Sequence, residues 1–431
     1  MTTLIETLKQ HLQSHTAAPG WCVALSGGLD SSVLLHALDA VRQQQACPPL
    51  RAVHIHHGLQ AVADSWPQHC QALCAQLEVP LQVIHVQVDA QASTEQAARQ
   101  ARYTALAGQL QAGERLLVAQ HADDQSETLL LRLLRGSGVL GLQAMPASRP
   151  LGQGLLLRPL LTVARRDLEH YARQAGLDWI DDPSNDSDDF DRNFVRNRVL
   201  PLLRQRWPGL DAVWQRTTGH MREAQGLLDE LAVIDLQQTR IEPQPDWLRL
   251  ECLDFNEIRP LSAARQHNLL RYWLRDKTLL PDSAHWAGWQ TLLQAGAGAQ
   301  PLWQLQGGAL VRDGPRLYWL PPHWLQSPPE PELTQVANGD YRLPDNGLLR
   351  IAGLAAAPLR VGYRQGGEQL NLHGRGRRDL KRLLQEQGVP VFVRNRLPLL
   401  FAGTQLIAVA GLPALRAAGA SGLQADWLPP A

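Results

Sequence analysis

The six residues Ser-Gly-Gly-Leu-Asp-Ser at positions 26–31 restrict the fold more than any other stretch, because they separate a strand pattern from a helix pattern. The apolar run Trp21–Leu25 precedes them, and apolar residues at helical spacing follow from residue 33 onward. Paired glycines let a backbone turn its N–H groups inward and approach a ligand closely. The hydroxyls of Ser26 and Ser31 add donors, and a helix N-terminus favours negative charge. This arrangement predicts a phosphate-binding loop between a strand and a helix.

Asp30 places a carboxylate inside this predicted phosphate site. The loop does not end in Gly-Lys-Ser/Thr, so it is not a Walker A loop. A carboxylate beside a polyphosphate is favourable when a divalent cation bridges the two, so we expect Asp30 to hold Mg²⁺. The residues predicted to bind the nucleotide are Ser26, Gly27, Gly28, Leu29, Asp30 and Ser31. The alternative is a plain turn with a serine cap, which would bind no ligand.

The first half of the chain alternates strand patterns with helical patterns. The predicted strands are Trp21–Leu25, Ala52–His56, Leu81–Val86 and Arg115–Gln120, and the predicted helices lie at about 31–45, 63–78 and 94–112. Such alternation indicates βαβ units, and therefore an α/β domain built on a parallel sheet. Ligands bind at the carboxyl ends of the strands in these sheets. The motifs at 26–31, 54–58 and 121–124 each follow a strand, so we expect them to converge on one edge.

We predict three domains in the 431 residues. Residues 1–209 form the catalytic α/β domain, 210–330 a mostly helical middle domain, and 331–431 a small basic α+β domain. Five prolines in 321–335 indicate a linker. In the last domain the patterns predict one helix and three strands, namely the helix Arg378–Gln387 and the strands Leu348–Ile351, Val391–Val393 and Leu406–Val409.

Cysteine content and hydropathy argue against several classes of protein. Five cysteines without a Cys-x-x-Cys motif argue against a disulfide framework, a zinc site and an iron–sulfur site. No apolar run is long enough to span a membrane, and the N-terminus does not look like a signal peptide, so we expect a cytoplasmic protein. The net charge is zero, yet nine basic residues and three acidic ones lie between Arg360 and Arg396. This local excess suggests a nucleic acid as a partner.

Two acidic residues follow the fourth predicted strand. Asp124 and Glu127 are three positions apart, so they share one face of a helix. Two carboxylates beside a phosphate site require a positive partner, which is either a metal ion or an amine substrate. The alternative is that they are simply acidic residues placed favourably in the first turn of a helix. His121 either orients a phosphate or a leaving oxygen, or caps this helix.

Arginines recur at spacings that suit a sugar–phosphate backbone. The first group is Arg99, Arg102, Arg192, Arg196 and Arg198, and the second is Arg377, Arg378, Lys381, Arg382 and Arg394, with Arg375 and Arg396 beside it. The alternative for each group is a solvated, charged surface. The stretch Gly136-Ser137-Gly138 either ends a helix or frees a lid loop.

The loop at 26–31 resembles the pyrophosphate loop of the PP-loop ATP-pyrophosphatase family, whose members split ATP between the α and β phosphates. Further stretches resemble the tRNA-modifying ligases of that family and occur in the same order along the chain, at 56–59, 95–103, 121–142, 181–201 and 380–398. Gln60 departs from the pattern, because an arginine is usual at that position.

That resemblance implies a doubly wound parallel sheet and a reaction on RNA that uses ATP and Mg²⁺. Free L-lysine would be joined to carbon 2 of the wobble cytidine in the CAU anticodon of minor tRNA(Ile), through an adenylated tRNA. The implied catalytic residues are Asp30, His121, Asp124 and Glu127, of which Asp124 and Glu127 hold lysine or a metal. The arginines named above and Lys381 would contact the tRNA. Neither a membrane nor an obligate protein partner is implied.

Three other functions stay open at this level. A PP-loop tRNA thiolase of the 2-thiocytidine type needs reactive or cluster-binding cysteines near the ATP. An ammonia-using synthetase would not need the basic C-terminal segment. A non-catalytic RNA-binding protein would not need Asp30, Asp124 and Glu127. We therefore expect ligase chemistry, with the thiolase as the alternative.

Overall fold

A computed structural model describes residues 2–56, 58, 64–86, 94–243, 245–279, 281, 285–296, 299–353, 359–420 and 422–430. The chain forms two compact units, Met1–Gly226 and Leu227–Ala431, and the division falls within one long helix, Leu210–Thr239. Along the described ranges, no helix combines the length and the apolar character needed to cross a membrane. The domain boundaries expected at 209/210 and 330/331 stay a prediction.

A six-stranded sheet forms the centre of the first unit. Its strands are β1 (Trp21–Ala24), β2 (Leu50–His56), β3 (Leu81–His85), β4 (Arg115–Leu117), β5 (Ser148–Leu151) and β6 (Gly154–Leu157). Their order is β3-β2-β1-β4-β6-β5, and every neighbouring pair is parallel except the edge pair β5-β6. The chain therefore winds to one side of β1 and then to the other. The predicted α/β class and the four predicted strands are confirmed.

Helices cover both faces of this sheet. The helices of the first unit are α1 (Thr2–Leu12), α2 (Leu29–Gln44), α3 (Trp66–Gln76), α4 (Thr94–Gln109), α5 (Ala122–Leu134), α6 (Val139–Leu142), α7 (Arg165–Ala175), α8 (Asp191–Phe194), α9 (Leu200–Arg206) and the first part of α10 (Leu210–Thr239). Trp21 and Val23 face the core that contains α1, α2 and α7, whereas Cys22 faces the core that contains α4. Because successive side chains of a strand point to opposite faces, a strand covered on both sides is apolar throughout.

A π-helical turn, Val195–Val199, joins α8 to α9. Pro201, near the start of α9, has no N–H to donate to the carbonyl group of residue 197. This missing hydrogen bond favours the wider turn. The result is one irregular helical segment over residues 191–206, which carries Arg192, Arg196 and Arg198.

In the second unit, the middle region combines helices with a sheet. Its strands are β7 (Arg240–Ile241), β8 (Cys252–Asp254), β9 (Leu302–Leu305), β10 (Gly308–Asp313) and β11 (Arg316–Leu320), in the antiparallel order β7-β8-β11-β10-β9. The helices α11 (Phe255–Ile258), α12 (Ala263–Leu274) and α13 (Ala287–Gln294) share with it a core that contains Trp273, Trp286, Trp289, Trp303 and Trp319. The helices are as predicted, but the pattern does not reveal the sheet, because strands this short show little alternation.

The remaining elements of the second unit form two small sheets and three short helices. The first sheet contains β12 (Gly339–Arg342), β13 (Leu348–Ala352) and β19 (Gln424–Leu428), and the second contains β14 (Arg360–Gly362), β15 (Gln369–Leu372), β16 (Gly376–Asp379), β17 (Leu399–Ala402) and β18 (Gln405–Val409). The helices are α14 (Pro322–Leu325), α15 (Leu380–Glu386) and α16 (Val391–Arg394). The helix predicted around α15 and the strands predicted at β13 and β18 are confirmed.

Two predictions for this region need correction. Val391–Val393 is not a strand: these residues begin α16, with Pro390 as the N-cap, and Val393 is buried in the hydrophobic core, so tertiary packing overrides their strand propensity. The proline-rich stretch 321–335 is not a free linker either. It contains α14, and Trp324 is 3% exposed within the main hydrophobic core of the unit.

Candidate active site

Gly27 gives the loop after β1 its shape. Its φ is +87°, a left-handed conformation that residues with a side chain rarely adopt. A Cβ atom here would lie 2.8 Å from Cδ1 of Ile180 and 3.1 Å from Sγ of Cys70, so no side chain fits. Gly28, the N-cap of α2, supplies no side-chain acceptor to the helix. The N–H groups of the first helical turn are therefore available to an anion.

Ser26 and Ser31 hold this loop closed with their hydroxyl groups. The N–H of Ser26 donates to Oγ of Ser31 over 3.1 Å, and the two hydroxyl oxygens lie 3.0 Å apart. Oγ of Ser31 donates to the carbonyl group of Gly28 over 3.1 Å, and the N–H of Gly28 donates to Oγ of Ser26 over 3.3 Å. These hydrogen bonds hold the loop in one conformation before a nucleotide binds. Electrostatic stabilisation of a reacting phosphate depends on such preorganisation.

Asp30 and His121 reach the loop from two different strands. Asp30 lies in the first turn of α2, after β1, and His121 lies directly before α5, after β4. Oδ2 of Asp30 is 3.5 Å from Nε2 of His121. The structure therefore brings together the motifs at 26–31 and 121–124, as the sheet topology predicts.

The second oxygen of Asp30 fits a divalent cation. Oδ1 is buried and has no hydrogen-bond partner among the residues that the structure describes. Mg²⁺ takes oxygen ligands and is often bound through one or two carboxylates plus the phosphates of a substrate. Within the described ranges, no group of three or more His, Cys, Asp or Glu side chains could hold a metal ion. A cation at Asp30 would take its further ligands from the nucleotide phosphates and water.

His121 is surrounded by carboxylates. Its Nε2 lies 3.5 Å from Oδ2 of Asp124, its Nδ1 lies 3.8 Å from Oδ2 of Asp123, and its side chain is 2% exposed. Burial opposes protonation, but the hydrogen bond to Asp30 and the negative charges of Asp124, Asp30 and Asp123 outweigh it and raise the pKa of His121 above 6.5. The backbone N–H of His121 also donates to Oδ2 of Asp124 over 3.0 Å, so this residue begins the helix as well.

Two arginines from the irregular helical segment form ion pairs with Asp124 and Glu127, the acidic pair of α5. Arg192 donates from Nε to Oε2 of Glu127 over 2.7 Å and from Nη2 to Oδ1 of Asp124 over 2.8 Å. Arg196 donates from Nε to Oε1 of Glu127 over 2.6 Å and from Nη2 to Oε2 of Glu127 over 2.9 Å. The side chain of Glu127 is 1% exposed, and a carboxylate so deeply buried needs such partners.

The charges of this network stabilise one another. Burial alone would raise the pKa of Asp124, but His121, Arg192 and Arg196 together lower it. Burial opposes the charge of both arginines, and the two carboxylates nevertheless raise the pKa of each. The positive partner of the acidic pair in this structure is therefore the chain's own arginines. Contacts of Asp124 and Glu127 with lysine or metal, and of Arg192 and Arg196 with tRNA, stay predictions.

Sequence reasoning missed a second set of contacts that braces α5. Nη2 of Arg204 donates to Oδ1 of Asp123 over 2.7 Å, and its Nε donates to Oδ2 of Asp211 over 2.9 Å. Oγ of Ser126 donates to Oδ1 of Asp211 over 2.7 Å. No local motif marks these residues, because 81 positions separate Arg204 from Asp123 along the chain.

Cys70 lies beside the phosphate loop, yet its thiol is unreactive. Burial raises the pKa of Cys70 to about 12 and that of its neighbour Cys74 to about 11. The thiolate is the nucleophilic form of cysteine, so both side chains are inert near neutral pH. All five cysteines are free.

The Gly-Ser-Gly stretch after α5 ends the helix. Gly136 has a φ of +69°, its N–H donates to the carbonyl group of Leu133, and the N–H of Ser137 donates to that of Arg132, each over 3.0 Å. This pair of hydrogen bonds is a Schellman motif. Nη1 of Arg132 donates to the carbonyl groups of Gly141 and Ala144 and fixes the turn that follows. The helix end is present, and the lid role stays a prediction.

Most of the other basic residues assigned to RNA are accessible. Arg99, Arg102 and Arg198 are exposed in the first unit, and Arg198 pairs with Asp188 over 2.7 Å. Of the residues assigned to RNA in the second unit, Arg377 and Arg378 on β16 and Lys381 and Arg382 on α15 are exposed. Their contacts with tRNA stay predictions.

The two basic residues around α16 differ from this exposed group. Arg394 is half-buried and donates from Nε to the carbonyl group of Val389 over 2.9 Å. Arg396 is 2% exposed and donates to three backbone carbonyl groups, so its expected place on the basic surface is wrong. His57, Leu59, Gln60 and the side chain of Glu95, which belong to the resembling stretches, lie outside what the structure describes.

Family models match three parts of the chain. A PP-loop domain matches residues 1–203, a TilS substrate binding domain matches residues 253–318, and a TilS substrate C-terminal domain matches residues 359–428. The matches therefore fall in both compact units.

Similarity to individual proteins extends over almost the whole chain. A tRNA(Ile)-lysidine synthase of Pseudomonas fluorescens is 52% identical over 430 residues, which cover 98% of this chain and 96% of that one. The protein of the same name from Pseudomonas aeruginosa is 53% identical over 427 residues, again 98% and 96% of the two chains. A tRNA(Ile)-lysidine synthase of Alkalilimnicola ehrlichii is 43% identical over 425 residues, 94% and 93% of the two chains.

Proposed function

The chain belongs to the tRNA(Ile)-lysidine synthase family, and from this membership we propose its reaction. It joins free L-lysine to carbon 2 of the wobble cytidine in the CAU anticodon of a minor isoleucine tRNA. ATP first adenylates the oxygen on carbon 2 and pyrophosphate leaves, and lysine then displaces AMP to give lysidine. The observation that carries the proposal is the convergence of phosphate loop and acidic helix: His121 lies 3.5 Å from both Asp30 and Asp124.

In the first half-reaction, the loop after β1 binds the departing pyrophosphate. The uncapped N–H groups at the start of α2 face the negative charge that develops there. Asp30 holds Mg²⁺, which supplies positive charge to the phosphates when it is bound. His121, whose carboxylate neighbours favour its protonated form, donates a hydrogen bond to the α-phosphate.

In the second half-reaction, Asp124 and Glu127 bind the side-chain ammonium group of lysine. This group carries the same charge as the guanidinium groups now in contact with both carboxylates, so it can replace one of them without leaving an unpaired carboxylate. Because the pKa of Asp124 lies below its usual value, its carboxylate orients the ammonium group rather than removing its proton. The ammonium group loses one proton to solvent and becomes the attacking amine. The new C–N bond forms at carbon 2 as the C–O bond breaks and AMP leaves with its electron pair, and the nitrogen then loses a second proton.

The exposed basic residues on β16 and α15 contact the body of the tRNA. Their side chains are accessible, and arginine matches the oxygens of a phosphate with two parallel hydrogen bonds. We place the protein in the cytoplasm, where its tRNA substrate is found.

The thiolase alternative is less supported. Such an enzyme needs a reactive cysteine near the ATP, and the thiols of Cys70 and Cys74 have pKa values of about 12 and 11. They stay protonated near neutral pH, and neither belongs to a Cys-x-x-Cys motif.

Incorporation of radiolabelled lysine into unfractionated tRNA tests the proposed function. We expect acid-precipitable label that depends on ATP and that nuclease digestion assigns to the wobble nucleotide of one isoleucine tRNA. A transcript of that tRNA with uridine at the wobble position is the control and should stay unlabelled. ATP cleavage driven by a sulfur donor or by ammonia, with no lysine incorporated, would overturn the proposal.

A further inference from the structure

Arginines gather around one tyrosine of the first unit. Tyr103 lies on α4, and the guanidinium carbons of Arg99, Arg102 and Arg149 lie 5.1, 5.8 and 4.9 Å from the centre of its ring. Arg158, directly after β6, interacts with the hydroxyl group of the same tyrosine. We call these five residues the Tyr103 cluster.

Arg158 is the buried member of the Tyr103 cluster, with 5% of its surface exposed. Its Nη1 donates to the carbonyl group of Pro146 over 2.8 Å, and its Nε donates to the side-chain oxygen of Gln120. Both acceptors are neutral, so neither balances the charge. Burial lowers the pKa of Arg158, and the nearby charges of Arg149 and Arg99 act in the same direction.

The Tyr103 cluster differs from three other arginine sites of this unit, where a carboxylate partner lies 2.7 Å away. These are the pairs Arg51–Glu114, Arg192–Glu127 and Arg204–Asp123. Among the described residues, no carboxylate lies within ion-pair distance of Arg99, Arg149 or Arg158. An aromatic ring compensates only part of the unfavourable burial of a cation. An anionic ligand would supply the missing partner.

The Tyr103 cluster lies at the same edge of the sheet as the phosphate loop. Arg158 follows β6, Gln120 directly precedes His121 after β4, and the phosphate loop follows β1. β1, β4 and β6 are neighbours, and adjacent strands are about 4.8 Å apart, so the cluster stands roughly 10 Å from the loop. An anion bound at the Tyr103 cluster would therefore lie beside the pyrophosphate proposed at the loop.

We propose that the Tyr103 cluster binds a backbone phosphate of the anticodon loop, next to the cytidine being modified; this rests on the proposed function. The cytidine must leave its stack to reach ATP, and its flanking phosphates are then the nearest anions of the RNA. Arg99 and Arg102 are exposed at the rim while Arg158 is buried at the base, as expected for a group that projects from a large ligand. Guanidinium groups match phosphate oxygens in pairs.

The variant Arg149→Gln tests this site, because Arg149 is half-buried and its hydrogen bond to the carbonyl group of Pro150 is a long one of 3.4 Å. Binding of a synthetic anticodon stem-loop is measured over a series of salt concentrations. We expect an affinity about tenfold lower and a log–log salt slope that is smaller by about 0.7–0.9, the value for one phosphate contact. Arg173→Gln on α7, where the side chain is 73% exposed, is the matched control and should bind as the wild type does. Unfolding temperatures show whether the variants are folded.

A chemical change in the RNA completes the test. Methylphosphonates replace the phosphates on either side of the cytidine, one at a time, and remove one charge each. At the contacted position, Arg149→Gln should cause no further loss, because the interaction is already gone. Two outcomes overturn the proposal: equal binding of every RNA by wild type and variant, or unchanged RNA binding with a raised KM for lysine, in which case the anion is the lysine carboxylate. Lysine incorporation by the wild type tests the proposed function separately. The binding experiment measures RNA affinity directly, so its result does not depend on the outcome of that assay.

Discussion

Nε of Arg196 lies 2.6 Å from Oε1 of Glu127, so a residue of the irregular helical segment closes directly on the acidic face of α5. The carboxylate of Glu127 is 1% exposed and is shared with Arg192, which approaches Oε2 over 2.7 Å. A cationic substrate at this acidic pair must therefore compete with guanidinium groups that are already bound.

Asp124→Asn should raise the KM for lysine at least tenfold while adenylated tRNA still forms, because Asp124 is proposed to hold the ammonium group and not the ATP. A loss of about 1.4 kcal/mol in binding corresponds to that factor. Lysine-dependent turnover is measured beside ATP–pyrophosphate exchange in the presence of tRNA. If pyrophosphate exchange falls as far as turnover, the acidic pair belongs to the ATP or metal site.

Glu127→Gln should likewise raise the KM for lysine, and it should also destabilise the fold. The change leaves Arg192 and Arg196 short of a buried negative partner, and breaking such a pair costs about 3–5 kcal/mol. Urea unfolding compares this variant with Asp124→Asn, whose side chain is more exposed at 14% against 1%. Equal midpoints for Glu127→Gln and the wild type would show that the network contributes nothing to stability.

Asp30→Asn and Ser31→Ala should each slow adenylation, because each variant loses one preorganised electrostatic contact. The activation free energy should rise by about 3 kcal/mol. Asp30 is proposed to hold the cation, and Ser31 forms the hydrogen bonds that close the loop. ATP–pyrophosphate exchange with tRNA present measures the effect, and the affinity for tRNA should hardly change. Near-normal exchange in both variants would remove the loop from the mechanism.

His121 should make stability depend on pH above 6.5. Its folded pKa is raised above 6.5, so its protonated form adds stability that is fully present below pH 6.5 and is lost as the pH rises through the folded value. The denaturant midpoint of unfolding of the wild type should therefore decrease relative to that of His121→Gln as the pH rises from 6.5 through the folded pKa of His121. Parallel pH profiles for the two proteins would contradict the assignment of a protonated imidazole.

Replacement of Arg377, Arg378 and Arg382 by alanine should weaken binding of full-length tRNA and reduce the salt slope by about two to three units. All three side chains are exposed, so the fold should be unaffected. Arg342→Ala, at another exposed arginine of the second unit, is the control. Activity on an isolated anticodon stem-loop should stay near that of the wild type. Unchanged affinity and slope for full-length tRNA would make this group a solvated surface only.

Local sequence patterns were sufficient to predict much of the fold of the first unit. Apolar runs alternating with helical spacing predict the parallel sheet, since a strand buried on both faces must be apolar at every position. The two glycines after β1 predict a tight turn at a helix N-terminus, and Gly27 indeed has a φ of +87°. Such features depend on neighbours within a few residues, so a single sequence reveals them.

Other features could not be read from local patterns. Val391–Val393 has strand-forming residues, yet it forms a helical turn that buries Val393, because packing in the core overrides a local strand propensity. The short strands β7 to β11 are held by their pairing with distant segments and by a core of tryptophans rather than by their own alternation. Arg396 reads as part of a basic stretch, yet its donors are used by backbone carbonyl groups 51 to 73 positions away.

The sequence by itself therefore determined the sheet, the phosphate loop and the shared face of Asp124 and Glu127, because each follows from the geometry of one element. Only the tertiary structure decided which cation meets that face. Arg192 and Arg196 are separated from Glu127 by 65 and 69 positions, and they carry the same local signal as an arginine that faces solvent. The direction in which such a side chain points is set by the burial of its partner, since a buried carboxylate must be paired, and burial is a property of the whole fold.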